Sequence, residues 1–307
     1  MNLTLYGASQ QFLVDLQRTQ TQIQDATAQL SSGHRLQRVA DDPSAIAQIY
    51  QLQAEVTLNQ QTQANLSGAS AELSAADTAL QSAIAGIQIA ISLAAQGASS
   101  TSSVQARANL AIQVQGLQQT LVGLSQAQVG NHYIFSGDLP TQPSYQLDPT
   151  QPEGVAQLQS ASATHVIYDT NGTAIATTLT AQHIFDPKDS LGNPVAGNTF
   201  AAINRLLTAL SNNDVSGIAA AATSLHASSD YLNNQLVFYG DAANRVTNAT
   251  SLAQKFLVLE QGSLGELQDA NIVAIALAQT QALNQQQAAL SLEAKINQMP
   301  TLFSLLG

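Results

Sequence analysis

Leu30-Ser-Ser-Gly-His-Arg-Leu-Gln-Arg-Val-Ala-Asp-Asp-Pro-Ser-Ala-Ile-Ala47 is a corner between two long helices, and the rest of the chain is organised around it. On its N-terminal side, Phe12, Leu16, Thr19, Ile23, Ala26 and Leu30 recur at alternating steps of four and three. That spacing draws one apolar seam along one helical face. Gly33 stands at the position after the helix, where a left-handed residue without a Cβ closes the last turn. Asp42 before Pro43 is a start signal, a capping oxygen followed by a ring that presets the first helical φ. The tether between stop and start holds Arg35 and Arg38. The sequence thus predicts a hinge made of Gly33, Arg35, Asp41, Asp42 and Pro43.

The second helix continues the pattern far beyond the corner. Leu52, Val56, Asn59, Gln63, Leu66, Ser70, Leu73, Asp77, Leu80, Ile84, Ile87, Ile91 and Ala94 read as its seam, and no Pro interrupts it before Gly97. Such a helix is roughly 80 Å long at 1.5 Å per residue, which makes it a rod component. After a small-residue loop at 97–103, Leu110, Val114, Leu117, Leu121 and Leu124 mark a third helix that ends near Gly130. The period then breaks at Asn131-His-Tyr-Ile-Phe-Ser-Gly137, followed by Pro140, Pro143, Pro149 and Pro152. From there to about Gly197 the texture is β, with Asn171-Gly172 as a hairpin turn between two short β-prone runs. Helix returns at Phe200, Ile203, Leu206, Leu207 and Leu210, then over 215–226. It runs on to Pro300 with interruptions at Gly262 and Gly265. Val273 and Leu277 belong to the last apolar seam, and Leu302, Phe303 and Leu306 form an apolar tail. The expected fold is mainly α with an inserted β domain, a long coiled-coil rod made from the two terminal segments.

Composition narrows the function. The chain has 307 residues, 9% of them charged, with no Cys or Trp and a formal charge of −11. Helices that bury most of their surface against other helices fit so few charges, and the acidic balance argues against a nucleic-acid partner. Absence of Cys fits work outside the cell without disulfides. The opening residues show neither a basic region nor an apolar core, so no secretory signal is expected, and no apolar run of about 18 residues predicts a membrane span. His34, His132, His165, His183 and His226 lack metal-ligand spacing, and neither a phosphate loop, a GxSxG elbow nor a dinucleotide fingerprint is present. Asp41 and Asp42 are better caps than a catalytic pair. No catalytic, cofactor or metal site is expected, and the chain reads as a non-enzyme.

The corner resembles the N-terminal signature of the bacterial flagellin superfamily, an LSSG with basic residues followed by DDP. Leu264-Gly-Glu-Leu-Gln-Asp-Ala-Asn-Ile272, with Ala278-Gln279-Thr280 and Ala282-Leu283, resembles its C-terminal counterpart. Gly130-Asn-His-Tyr-Ile-Phe-Ser-Gly137 and the ending Thr301-Leu-Phe-Ser-Leu-Leu306 look more like the hook–filament junction proteins (hook-associated protein 3) than flagellins; the ending departs from their pattern at Ser304 and Leu305. The resemblance implies nested layers: 1–42 with 265–307 as an inner axial layer, 43–135 with 200–264 as the rod, and 136–199 as a small outer β domain. It implies Phe12, Leu16, Ile23, Leu30, Val273 and Leu277 as the inner-layer seam, and outer contacts around Tyr133–Tyr145. It also implies a ring of copies joining hook to filament, beside a neighbouring hook-associated protein and flagellin. An export chaperone, the flagellar type III apparatus and an extracellular location go with that role. A short flagellin, the filament subunit itself, is the alternative, and a secreted helical adhesin a more distant one.

Overall fold

The computed structural model describes residues 2–36, 38 and 41–298. In chain order the elements are α1 (Asn2–Ser32), α2 (Pro43–Ala98), α3 (Val104–Ser125), β1 (Gln128–Val129), β2 (His132–Tyr133), β3 (Tyr145–Leu147), β4 (Val155–Gln157), β5 (Val166–Tyr168), β6 (Ala174–Ala176), α4 (Ala181–Phe185), α5 (Thr199–Ser211), α6 (Val215–Gln268) and α7 (Ile272–Gln298). The fold is mainly α with inserted β hairpins, as the sequence predicts. The chain divides into two compact units, Asn59–Lys255 on one side and Met1–Leu58 with Phe256–Gly307 on the other.

Capping residues start the helices. The side chains of Asp42, Ser103, Thr180, Asn198, Asp214 and Asn271 each accept a hydrogen bond from the backbone N–H three residues on. Each satisfies one donor that the first helical turn leaves open.

The unit 59–255 is held by two long seams. Along α6, Ile218, Ala221, Leu225, Ser228, Leu232, Gln235, Tyr239, Ala242, Val246, Ala249 and Ala253 are buried, at unbroken alternating steps of three and four. Along α2, Leu66, Leu73, Leu80 and Ile87 alternate with Ala69, Ala76, Ala83 and Ala90, all buried. This corrects the sequence reading, which alternates the large residues with Ser70, Asp77, Ile84 and Ile91. Ser70 is exposed and the other three are half-buried. The cause is two successive steps of three, Gln63–Leu66–Ala69, a break that shifts the seam by one position. The seams meet in antiparallel sense, with Asn59 Nδ2 donating to Ala253 O at 3.1 Å and Gln88 Nε2 to Ser229 Oγ at 2.9 Å. By length and mean composition α2 could cross a membrane, contrary to the sequence expectation. Here its Leu66, Leu73, Leu80, Ile87 and Leu93 are core residues of this unit.

The inserted β region is three separate antiparallel hairpins, β1–β2, β3–β4 and β5–β6. Strands of two or three residues cannot stand alone. While β5–β6 buries Ile167 and Ile175, Tyr145 ties β3–β4 to an aromatic cluster in which Phe135 packs edge-on against Phe185 and Tyr239, and Phe200 contacts Phe185 and Tyr145. Beside it lies a buried polar knot. Asp186, 1% exposed, accepts from Tyr145 Oη at 2.9 Å and Asn198 Nδ2 at 2.7 Å, and pairs with Lys188 Nζ at 2.9 Å. Burial first, then the Asp186 charge, drives the Tyr145 hydroxyl far above its ordinary pKa.

The Asn131–Gly137 stretch is the plug of this arrangement. Ile134, Phe135 and Ser136 are buried, Ala181 N donates to Phe135 O at 2.7 Å, and Gly137 turns at φ 54° where a Cβ would strike Ser162 O. The expectation of outer contacts around Tyr133–Tyr145 is narrowed: Ile134, Phe135, Ser136, Ser144 and Tyr145 face the core, whereas Asp138, Leu139, Thr141 and Gln142 are exposed.

Candidate assembly surface

The corner forms as its residues dictate. Gly33 sits at φ 73° with open space where a Cβ would be, and its N–H reaches Gln29 O at 2.9 Å, closing α1 in a left-handed cap. Asp42 Oδ1 accepts from Ala45 N at 3.1 Å and Ser44 Oγ at 2.8 Å, followed by Pro43 at the first helical position. The backbone bond from Ala45 is the main reason that its carboxyl lies below the usual range; the Ser44 bond comes next, and Arg35 contributes least. Asp41 Oδ2 accepts from Arg38 N at 2.9 Å, tightening the tether.

The far end of α6 meets this corner. Arg35 N donates to Gln268 O at 2.8 Å, Ala270 N donates to Gly33 O at 2.9 Å, and the Arg35 guanidinium reaches Leu267 O at 3.1 Å. Cationic Arg35 thus completes a helix C-terminus whose last carbonyls lack partners. The break between α6 and α7 falls at 269–271, past the expected interruptions at Gly262 and Gly265, which α6 crosses. Asn271 caps the new helix.

Beyond the corner α1 and α7 lie side by side. Phe12, Leu16, Thr19, Ile23 and Leu30 are half-buried and Ala26 is buried, the positions that the sequence seam picks out. On α7 the inward residues are Ile275, Gln279, Ala282, Gln286, Ala289 and Glu293, again at steps of four and three. Gln279 Nε2 donates to Thr27 Oγ1 at 2.8 Å. These α7 positions escape a search for large apolar residues, because most are small or polar; their spacing is the signal that finds them. Val273 and Leu277 stand outward, 81% and 60% exposed, with Leu283, Leu290 and Leu292 also exposed. Leu13 and Val14 are exposed on α1. The tail residues Leu302, Phe303 and Leu306 lie outside the described residues. Among the described residues no group of three His, Cys, Asp or Glu is placed to hold a metal.

Residues 4–139 match the bacterial flagellin N-terminal helical region. No protein of curated function matches the sequence. Solved structures match in fold. A Vibrio parahaemolyticus protein assigned as a flagellar hook-associated protein aligns at a TM-score of 0.64 and 18% identity, over 75% of this chain and 100% of its own. A hook-associated protein 3 from Legionella pneumophila aligns at 0.60 and 12%, over 71% of this chain and 98% of its own. The flagellar junction protein FlgL from Legionella pneumophila aligns at 0.56 and 12%, over 72% of this chain and 99% of its own. Residues 4–139 thus resemble the bacterial flagellin N-terminal helical region, and about three quarters of the chain shares the fold of a flagellar hook-associated protein.

Proposed function

We propose that the chain is a structural protein of the bacterial flagellum, joining hook to filament as a ring of subunits. The observation that carries this reading is the match of residues 4–139 to flagellins together with a fold held in common with a flagellar junction protein. The role is mechanical, with no catalytic step. In the assembly, residues 1–42 and 265–307 form the inner axial layer, 43–135 and 200–264 the rod, and 136–199 the outer β domain. The outward apolar residues of α7, Val273 and Leu277, are the kind of surface that a neighbouring subunit covers. Phe12, Leu16, Ile23 and Leu30 would serve the α1 side of the same layer, and Leu302, Phe303 and Leu306 its tail. Gly33, Arg35, Asp41, Asp42 and Pro43 set the direction in which α1 leaves the corner.

The ring's partners are a neighbouring hook-associated protein and flagellin. Before assembly the chain passes through the flagellar type III export apparatus with an export chaperone, and it works outside the cell. A junction protein grips two different neighbours, so open-ended addition of its own copies is disfavoured; a flagellin needs the reverse. Cells lacking the chain should keep hooks and release flagellin into the medium without growing filaments, and the purified protein should form short rings or caps at most. Long filaments made of this protein alone would replace the junction reading with the flagellin one.

A further inference from the structure

We propose that the corner at 33–35 and the break at 268–270 are one device, a backbone clasp that makes α1 and α7 a single two-helix arm, formed and lost together. Each break alone is an ordinary helix end. Together they form a short antiparallel bridge, His34 opposite Asp269. The two flanking bonds, Arg35 N to Gln268 O at 2.8 Å and Ala270 N to Gly33 O at 2.9 Å, make His34 and Asp269 a non-hydrogen-bonded pair, the type whose side chains lie closest. Their side chains do meet, His34 Nδ1 to Asp269 Oδ1 at 3.9 Å, and Gln268 Nε2 approaches His34 Nε2 at 3.4 Å. Two further ties cross or brace the bridge: the Arg35 guanidinium on Leu267 O, and Gln29 Nε2 on Arg35 O at 3.0 Å.

The arm beyond the clasp explains why such a device is needed. Ala26 and Ala282 are the only apolar residues of α1 and α7 that are buried, among those whose burial is described. Most of the α7 seam is Gln, Ala and Glu, so little apolar area holds the two helices together. Helices in proteins owe most of their stability to packing rather than to propensity, so the pairing of these two matters to both. Fixing their bases to one another removes much of the entropy that their pairing must otherwise overcome. Pairing then becomes local to the clasp, and loss of either helix releases the other. This inference concerns the isolated chain and stands or falls independently of the junction role.

The chain contains no Cys, so a bond can be placed across the clasp cleanly. In the full-length His34→Cys/Asp269→Cys variant, air oxidation should close a disulfide within one chain, because cross-strand pairs of this kind meet its geometry. Amide exchange measured by mass spectrometry should then slow in both arm helices, over 16–30 and 275–289, by the same factor of roughly ten or more. Exchange over 73–87 of α2 should not move. Ala270→Pro, which deletes the N–H that reaches Gly33 O, should speed exchange in both helices together by about three- to tenfold. A pair of thiols that stays reduced, a disulfide that protects one helix only, or an Ala270→Pro effect confined to α7 would each overturn the clasp.

Discussion

At the scale of single residues, Gly33 and Tyr145 are held for different physical reasons. Gly33 has room for a side chain but not a backbone that accepts one, since its φ is 73°. Gly33→Val should therefore cost about 1–2 kcal/mol at the corner, expressed as faster exchange in α1 and α7 together, with the main thermal transition unmoved. A drop in that transition would mean that the corner supports the larger unit. Tyr145 is held by its hydroxyl. Tyr145→Phe removes a donor from Asp186, which keeps Asn198 and Lys188, and should cost about 1–3 kcal/mol near neutral pH. Its pH dependence has a definite sign. The folded hydroxyl ionises at higher pH than the unfolded one, so its contribution is whole below about pH 10 and is lost as pH rises further. Denaturant midpoints taken at pH 8 and above 10 should converge for wild type and Tyr145→Phe; parallel curves would show that burial is not what shifts this group.

At the scale of elements, the α2 seam gives a contrast between two neighbouring positions. Leu80 is fully buried and Ala83, one step along, is fully buried too. Leu80→Ala should cost about 2–5 kcal/mol by leaving a cavity, whereas Ala83→Leu should cost about 1–3 kcal/mol by forcing apart helices that approach over a methyl group. Equal tolerance of Leu at position 83 and at an exposed position such as Ser70 would mean that the seam is not where the structure puts it. The same element shows what was legible. Leu66, Leu73, Leu80 and Ile87 can be read from spacing, because large apolar residues at regular intervals carry the signal. The alternate seam positions could not, because buried Ala looks like any other Ala in a chain rich in it, and a break in step leaves no mark in composition. The α7 inner face was hidden for the same reason. Gly33, Asp42 and Pro43 were readable because capping and left-handed backbone demand particular residue types. The burial of Ile134–Ser136 is not legible in the same way, since the two-residue strand before it gives no face pattern.

At the scale of the whole molecule, the two units differ in how much each hides. In the unit made from the ends, Ala26, Ala45, Ile49 and Ala282 are the buried apolar residues among those described, while every other buried apolar side chain falls within Asn59–Lys255. A domain's stability follows its buried apolar area, so the cooperative transition of the isolated chain belongs to 59–255. The terminal helices then sit at the low end of the stability range, where local opening costs little. Limited proteolysis at low enzyme concentration should consequently remove α1 and α7 first and stop at a core of roughly Ser44 to Gly262. A chain cut to 43–264 should melt within about four degrees of the full-length protein, since a change below 1 kcal/mol shifts a domain of this size by no more than about 2–4 °C. If the proposed assembly covers Val273 and Leu277, it should reverse the order of vulnerability by adding apolar burial where the free chain has least. Resistance of Leu16 and Leu277 to protease in dilute monomer, or a large fall in melting temperature on truncation, would move the stable core to the ends of the chain.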